Sequence, residues 1–238
     1  MQMQMVVLAG GLATRLGGLT SGRPKSLVEV HGKPFLQYQL EMLKAQGIVN
    51  VLLCTGHLGD QIEDYFGNGK ALGINLKYSR ELKPLGTAGA LKNAGKLLDN
   101  VFFTMYGDSY LFLDFNDAMN YFLSHDKKAL MTVHENHDLY DRSNTAIAGD
   151  LVTKYNKTEN RTPEMVYIDY GANIFKKEAL QMIPADKPYS LELLFPRLIA
   201  KKELLAFRVE KRFYEIGSPR GLEEFTKYTQ PTGRKLNS

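Results

Sequence analysis

Short apolar runs alternate with amphipathic stretches through the first half of this 238-residue chain, and no other feature restricts its fold as much. The apolar runs predict buried strands at 5–8, 49–54, 74–78 and 101–106. The amphipathic stretches predict helices at 34–45, 58–66, 86–98 and 115–124. Strands that alternate with helices of this length form right-handed βαβ units. We therefore predict an α/β fold with a Rossmann-like, mostly parallel mixed sheet flanked by helices.

The second half of the chain alternates less regularly. It predicts strands at 129–133, 145–147, 151–155, 166–168, 171–175 and 204–209. It predicts helices at 176–182, 191–200 and 218–228. We expect this half to supply a substrate-binding lid to the same single domain, spanning 1–230, with 231–238 as a polar tail. The sequence shows no hexapeptide repeat of the kind that forms a β-helix tail.

Composition restricts the partners of such a domain. The net charge of +4 suits anionic small molecules and is too small and dispersed for nucleic acid. The single cysteine, Cys54, excludes an intrachain disulfide and a cysteine-based metal cluster, and its apolar neighbours predict a buried thiol. Without a signal-peptide pattern or an apolar stretch of bilayer length, we expect no membrane contact and a cytoplasmic location.

The first predicted strand ends in two glycines, Gly10 and Gly11, and cationic residues follow. Glycines let backbone N–H groups approach a ligand closely, and such groups bind anions. Arg15 adds a planar guanidinium and Lys25 a point charge, so the segment predicts a polyphosphate site. A tight turn without a ligand is the alternative. The spacing matches neither a Walker A loop nor the G-x-G-x-x-G dinucleotide fingerprint.

The residues around these glycines match a longer motif. Residues 10–16 read Gly-Gly-Leu-Ala-Thr-Arg-Leu, with Pro24-Lys25 downstream, and resemble G-G-x-G-T-R-L…P-K, the first motif of the sugar-1-phosphate nucleotidylyltransferases. Ala13 stands where that motif has glycine. The resemblance implies that Arg15 and Lys25 are catalytic and stabilise a leaving pyrophosphate. It also implies that the nucleotide lies on Leu8, Ala9, Gly10, Gly11, Thr14, Arg15 and Lys25.

A second motif of the same family begins at Glu81. Residues 81–89 read Glu-Leu-Lys-Pro-Leu-Gly-Thr-Ala-Gly and resemble E-x-x-P-L-G-T-A-G, which lies against the nucleobase in that family. The glycines would let a flat ring approach the backbone. A loop that leads into a helix is the simpler interpretation, and both can hold together. The nucleotide-binding residues implied here are Pro84, Gly86, Thr87 and Gly89.

Two carboxylates are candidates for a metal site. Asp108 follows an apolar strand and Gly107, where a charge needs a partner or a metal, although capping of the next turn is the alternative. Glu215 lies in Tyr-Glu-Ile-Gly-Ser-Pro, whose Ser218-Pro219 also forms an ordinary helix start. The family has G-D at the first position and D-I-G-T-P at the second. The resemblance implies that Asp108, as a catalytic residue, and Glu215, in place of aspartate, hold Mg²⁺.

The resemblance also implies a pocket for a sugar 1-phosphate in the second half of the chain. Lys157 is the expected phosphate ligand, with Lys154 as its rival, and Asn-Lys-Thr replaces the family's E-K-P here. Arg142 is either a substrate contact or a surface arginine. The sugar-phosphate-binding residues implied are Asp108, Arg142, Asn144, Lys157, Gly171 and Asn173.

The family's reaction is the Mg²⁺-dependent transfer of a nucleoside monophosphate from an NTP to a sugar 1-phosphate, which releases pyrophosphate. Over 5–228 this chain is most similar to the D-glycero-D-manno-heptose 1-phosphate guanylyltransferases, which implies GTP and a GDP-heptose product. Other bases and sugars, cytidylyl transfer to phosphocholine, and a non-catalytic nucleotide-sugar-binding or regulatory module stay open. A homo-oligomer is compatible with the resemblance. The absence of an Asp-x-Asp motif at Asp108 argues against a glycosyltransferase.

Overall fold

In the computed structural model, which describes residues 3–11, 22–158, 161–185 and 187–230, a nine-stranded mixed sheet forms the centre of the molecule. The described strands are β1 (Gln4–Leu8), β2 (Glu29–Val30), β3 (Lys33–Pro34), β4 (Asn50–Thr55), β5 (Asn75–Arg80), β6 (Val101–Tyr106), β7 (Ser109–Tyr110), β8 (Ala129–Glu135), β9 (Thr145–Ala148), β10 (Leu151–Tyr155), β11 (Tyr167–Lys176), β12 (Leu204–Arg208) and β13 (Tyr214–Glu215). The described α-helices are α1 (Phe35–Ala45), α2 (Gly59–Phe66), α3 (Gly86–Asn93), α4 (Phe115–Leu123), α5 (Leu191–Ala200) and α6 (Pro219–Tyr228).

Most strands of the central sheet point the same way. Their order is β5-β4-β1-β6-β11-β8-β12-β10-β9, and β9 also pairs with β11. The pairs from β5 to β6 are parallel, as is the pair of β8 with β12. Strands β10 and β11 run against their neighbours. This arrangement confirms the predicted α/β fold with a Rossmann-like mixed sheet.

Strand β11 joins two segments, 166–168 and 171–175, that the sequence predicts as separate strands. Its register against β8 shifts between Asp169 and Asn173. Gly171 lies in this irregularity with a φ of +99°, a conformation that L-residues with side chains rarely adopt. The bulge interrupts the apolar pattern but not the strand. The helix predicted just beyond it is a 3-10 helix, Lys177–Met182.

Helices cover both faces of the sheet. Met5 and Val7 of β1 belong to a core with α1, α2 and α4, whereas Val6 belongs to a core with α3 and α5. All three side chains are fully buried. A strand buried on both faces shows no polar alternation, which explains the continuous apolar run at 5–8. The carboxyl ends of these strands therefore remain as the exposed edge where side chains can reach a ligand.

Cys54 lies near the end of β4 and is 3% exposed. Burial raises the pKa of its thiol to about 12, so the thiol stays protonated at neutral pH. This confirms the prediction of a buried thiol. No helix among the described residues has both the length and the apolar composition that crossing a bilayer requires.

Gly86 begins α3 at a close crossing of two backbone segments. Its φ is +73°, and a methyl group at this position would lie 2.8 Å from the carbonyl oxygen of Tyr189. The same crossing is fixed by two hydrogen bonds, from the Tyr189 N–H to the Leu85 carbonyl at 2.7 Å and from the Gly89 N–H to the Tyr189 carbonyl at 2.9 Å. Packing against Tyr189 thus requires Gly86 whatever ligand the loop binds.

Replacing Gly86 with alanine is expected to lower the free energy of unfolding by about 2–4 kcal/mol, because the methyl group adds both a strained φ and a backbone clash. Denaturant titration of the purified variant measures the change. Gly95→Ala is the matched control, since nothing lies within 4 Å of a methyl group there. Equal stability of the two variants would contradict the proposed role of the crossing.

Candidate active site

Two clefts open at the carboxyl-end edge of the sheet. Cleft I has a volume of about 930 Å³ and lies over the ends of β1, β4 and β6 and the start of α3. Cleft II has a volume of about 650 Å³ and lies between β11, the loop 136–144 and the segment 212–224. Tyr106 and Asp108 line both clefts. The two clefts therefore meet at the end of β6, as expected where strands of an open α/β sheet end.

Cleft I gathers most of the residues predicted to bind a nucleotide. Those that line it are Leu8, Ala9, Gly10, Gly11, Lys25, Pro84, Gly86 and Thr87. Gly89 does not line cleft I, and the Gly89 N–H donates to the Tyr189 carbonyl. Thr14 and Arg15 lie outside the described residues, as do Leu12, Ala13 and Leu16. Their assignment to the nucleotide stays a prediction.

Asp108 is held in place by the backbone around it. The Gly107 N–H donates to the Leu8 carbonyl at 3.1 Å, and a methyl group on Gly107 would lie 3.0 Å from that oxygen. Gln39 of α1 donates through Nε2 to the carbonyls of Tyr106 and Ser109, at 2.9 and 2.7 Å. Two side-chain hydrogen bonds from a fully buried glutamine thus fix the turn that carries Asp108.

Sequence reasoning missed Gln39, although a signal was present. Gln39 lies on the face of α1 formed by Leu36, Leu40 and Leu43, all fully buried. A polar residue on an apolar helix face must find hydrogen-bond partners once it is buried. The pattern therefore indicates a buried contact, but not which carbonyl groups accept its hydrogen bonds.

Lys25, Asp108 and Glu215 come together around Gly217. Lys25 Nζ lies 2.5 Å from Asp108 Oδ2, and the Lys25 side chain is only 14% exposed. A methyl group on Gly217 would lie 2.5 Å from Glu215 Oε2, 2.8 Å from Lys25 Nζ and 3.4 Å from Asp108 Oδ2. The absence of a side chain at Gly217 thus leaves room for the Lys25 ammonium group and the two carboxylates. The geometry joins residues that the sequence separates widely.

A short antiparallel ribbon brings Glu215 to this cluster. Strand β13 pairs with β7, which places Glu215 opposite Ser109, and the Ile216 N–H donates to the Asp108 carbonyl at 2.9 Å. The Glu215 carboxylate accepts hydrogen bonds from the Gly217 N–H and from Ser218 Oγ. Ser218 also caps α6 by accepting from the Gly221 N–H at 3.0 Å, which confirms the predicted helix start.

The donor set of this cluster fits Mg²⁺. Mg²⁺ prefers hard oxygen ligands and is usually held by one or two carboxylates together with phosphate oxygens and water. Asp108 and Glu215 supply two carboxylates on one cradle. Among the described residues, no group of three or more His, Cys, Asp or Glu side chains is placed to hold a metal. The residues present therefore suit an ion whose remaining ligands come from a phosphate-bearing substrate.

Cleft II gathers most of the residues predicted for the sugar phosphate, namely Asp108, Arg142, Asn144, Lys157 and Gly171. Asn173 does not line it. Asn173 is 1% exposed and lies inside the sheet, where β11 pairs it with Thr104 of β6 and Met131 of β8. Pairing with β8 resumes at Asn173 after the bulge, which places this residue in the sheet rather than at its edge.

Lys157 is better placed than Lys154 to meet a ligand in cleft II. Its Nζ lies 3.7 Å from Glu192 Oε1 and 5.5 Å from the centre of the Tyr106 ring, a residue that lines both clefts. Lys154 does not line the cleft and pairs with Glu164 at 3.2 Å. A loose ion pair such as that of Lys157 can exchange its carboxylate for a phosphate oxygen.

Two further residues of cleft II had no assigned role in the sequence analysis. Tyr106 OH donates to Asp169 Oδ2 at 3.4 Å, and the Gly171 N–H donates to Asp169 Oδ1 at 3.1 Å. Burial raises the pKa of the Asp169 carboxyl, and the nearby Lys157 opposes that shift. A buried carboxylate beside a lysine gives this cleft a hydrogen-bond acceptor for hydroxyl groups.

Glu81 adds a carboxylate to cleft I. Its Oε2 accepts from the Leu85 N–H at 3.1 Å. A methyl group on Gly10 or Gly56 would lie 3.1 or 3.0 Å from its Oε1, so the carboxylate faces the glycine-lined part of the cleft. Burial raises the pKa of this carboxyl, and the Leu85 N–H opposes the shift. Cleft I therefore offers a directed hydrogen-bond acceptor beside its backbone N–H groups.

Comparisons with known proteins agree with this geometry. The family model described as nucleotidyl transferase matches residues 4–230. D-glycero-alpha-D-manno-heptose 1-phosphate guanylyltransferase of Campylobacter jejuni subsp. jejuni serotype O:2 is 29% identical over 225 residues, which cover 94% of this chain and 98% of the relative. The protein of the same name from Aneurinibacillus thermoaerophilus is 30% identical over 219 residues, which cover 91% and 94%.

A solved structure supports the same assignment. The crystal structure of HddC from Yersinia pseudotuberculosis complexed with GMP-PN matches with a TM-score of 0.77 and 30% sequence identity. The match covers 95% of this chain and 99% of that chain. The family model spans nearly all of the described residues, both clefts included. The chain therefore belongs to the nucleotidyl transferase family.

Proposed function

We propose that this protein transfers a guanylyl group from GTP to a sugar 1-phosphate of the heptose class, with Mg²⁺ as its cofactor and pyrophosphate as the second product. The observation that carries the proposal is the meeting of two clefts at Asp108, beside Lys25. Two substrates bound in these clefts would have their phosphates at the same point. That juxtaposition is what an in-line transfer between phosphates requires.

The residues of the chain would act mainly by positioning and charge neutralisation. The phosphate oxygen of the sugar 1-phosphate is already ionised at neutral pH, so attack on the α-phosphorus needs no general base. Lys157 would hold the attacking phosphate in cleft II, and Lys25 would stabilise the charge that develops on the leaving pyrophosphate in cleft I. Backbone N–H groups of the turn at Gly10 and Gly11 would bind the nucleotide.

Asp108 and Glu215 would hold the metal ion between the two clefts. When bound, Mg²⁺ neutralises phosphate charge and orients the reacting groups. The ion pair between Lys25 Nζ and Asp108 Oδ2, at 2.5 Å, directs this carboxylate to the junction of the clefts. The presence of Lys25, Asp108 and Glu215 in one cluster argues against a non-catalytic binding module, because binding alone does not require these three groups together.

The choice of GTP rests on Glu81 and on the relatives. Guanine presents adjacent N1–H and N2 amino donors, and a carboxylate accepts both. Uracil and thymine present one donor between two carbonyl acceptors, which a carboxylate does not match. The relatives from Campylobacter jejuni and Aneurinibacillus thermoaerophilus are both guanylyltransferases by name. Both observations support guanine as the base.

Replacing Glu81 with glutamine is expected to lower kcat/KM for GTP by about 10- to 100-fold, because one acceptor of the carboxylate becomes a donor. The same change should raise activity with UTP or dTTP relative to GTP. Steady-state kinetics with each nucleotide measure the ratio. The exposed Glu63→Gln is the matched control. An unchanged ratio of GTP to UTP activity would contradict the assignment of Glu81 to the base.

The acceptor is tested by a matrix of nucleotides against sugar 1-phosphates. Pyrophosphate release is measured with GTP, ATP, UTP, CTP and dTTP, each with the 1-phosphates of a heptose, mannose and glucose, and with and without Mg²⁺. Phosphocholine with CTP completes the panel. The proposal predicts the highest kcat/KM for GTP with the heptose 1-phosphate. Absence of release with every pair, despite nucleotide binding, would contradict it and favour a binding module.

A further inference from the structure

The outer wall of cleft II is closed by an arginine that bridges two separate parts of the chain. We propose that Arg212 is a positioning residue, which ties the loop 136–144 to the segment that carries Glu215 and so holds the sugar-side cleft in its binding shape. This inference rests on the proposed function for the identity of the substrate. Its structural part, the tie itself, stands on the contacts of Arg212 alone.

The guanidinium of Arg212 lies between two aromatic rings. Its central carbon is 4.1 Å from the ring centre of Tyr140 and 4.7 Å from that of Tyr214. Tyr140 belongs to the loop 136–144, and Tyr214 belongs to β13, next to Glu215. Cation–π contacts of this kind are attractive, and more so the further they are removed from water. The arginine thus connects two walls of the cleft.

Two of the N–H groups of Arg212 donate to other parts of the protein. Its Nη2 donates to Glu224 Oε2 at 2.5 Å, and its Nε donates to the Phe213 carbonyl at 3.2 Å. Glu224 lies on α6 and also pairs with Arg220 at 2.9 Å. These contacts connect the loop 136–144 to β13 and α6, so Arg212 is placed to position other residues of the cleft.

The loop 136–144 has a fixed base, and Tyr140 projects beyond that base to contact Arg212. Its base is fixed by its own polar contacts, since Asn136 Nδ2 donates to the Asp141 carbonyl at 2.6 Å and to Ser143 Oγ at 3.0 Å. The side chain of Tyr140 projects from the loop with 42% exposure and meets Arg212. Arg142 and Asn144, both on the wall of cleft II, follow it in the same loop.

Release of Tyr140 would therefore change the position of the sugar-side residues while cleft I keeps its shape. Tyr140 and Arg212 line cleft II and do not line cleft I. A residue that acted only on overall stability would affect both substrates or neither. The inference thus predicts a change confined to the sugar 1-phosphate.

Steady-state kinetics of Arg212→Met test this prediction. The variant is expected to raise KM for the sugar 1-phosphate about tenfold, from the loss of the cation–π contacts and the ion pair of Arg212, and to change KM for the nucleotide less than about twofold. Arg212→Lys, which keeps the charge, should restore part of the affinity. Tyr140→Leu should resemble Arg212→Met, Tyr140→Phe should have the smaller effect, and the double variant Arg212→Met with Tyr140→Leu should not exceed the larger single effect.

The control is Lys211→Met, which removes one exposed positive charge from the neighbouring position. Unchanged KM for the sugar 1-phosphate in Arg212→Met, or equal increases in both KM values, would overturn the inference. If the wild-type protein releases no pyrophosphate with any pair, the proposed function fails, and amide hydrogen exchange then decides the inference separately. Faster exchange of the loop 136–144 in Arg212→Met than in wild type supports the tie, and equal exchange overturns it.

Discussion

Asp108→Asn is expected to lower kcat for nucleotidyl transfer by at least about 10²- to 10³-fold, while the protein keeps its fold. The substitution preserves the size of the side chain but removes the charge where the two clefts meet. It also removes the negative charge that pairs with Lys25, whose Nζ lies 2.5 Å from Asp108 Oδ2. The substitution thus weakens both the proposed metal site and the contact that orients the lysine.

Two measurements separate this effect from unfolding. Pyrophosphate release gives kcat, and thermal denaturation followed by circular dichroism gives stability. The main-chain contacts of Asp108, including the hydrogen bond from the Ile216 N–H at 2.9 Å, do not depend on the carboxylate. Asp64→Asn on the exposed surface of α2 is the matched control. Wild-type turnover of Asp108→Asn would contradict the assignment of Asp108 to the metal and to the reacting phosphates.

The sequence could predict which residues belong to the site better than how they meet. Asp108 and Glu215 stand in recognisable motifs, and the end of β6 places the first of them at the edge of the sheet. The ribbon of β7 and β13 that joins them has only two residues in each strand. Such short strands have no detectable periodicity, because a pattern needs at least four residues to show alternation. Their pairing is determined by tertiary packing.

Glycines illustrate the second limit of sequence reasoning. The motif at 84–89 predicts glycines that admit a nucleobase, and Gly86 does line cleft I. The structure adds a different cause, since Gly86 and Gly89 also pack against the backbone of Tyr189, about one hundred residues further along the chain. A glycine in a sequence indicates a close approach. It does not indicate which segment approaches, and only the fold supplies that partner.

Lys25→Met is the second substitution from which we expect a large effect. Methionine keeps the unbranched stem of the side chain but removes the positive charge that lines cleft I, where the proposed reaction releases pyrophosphate. Loss of one such charge in a site shielded from water is expected to lower kcat/KM for the nucleotide by about 10² to 10³-fold. Lys25→Arg should not restore full activity, because a planar fork replaces a point charge in a contact of 2.5 Å with Asp108.

The kinetic pattern distinguishes a role in triphosphate binding from a general role in folding. Lys25 lines cleft I and does not line cleft II. We therefore expect kcat/KM for the nucleotide to fall and KM for the sugar 1-phosphate to change little. The exposed Lys77→Met on β5 is the control for removal of one positive charge. An unchanged kcat/KM for the nucleotide would contradict the assignment of Lys25 to the triphosphate site. Because Asp108 then lacks its counter-ion, a Lys25→Met variant that binds Mg²⁺ more tightly without turnover would show that this lysine acts on the phosphates rather than by supporting the metal.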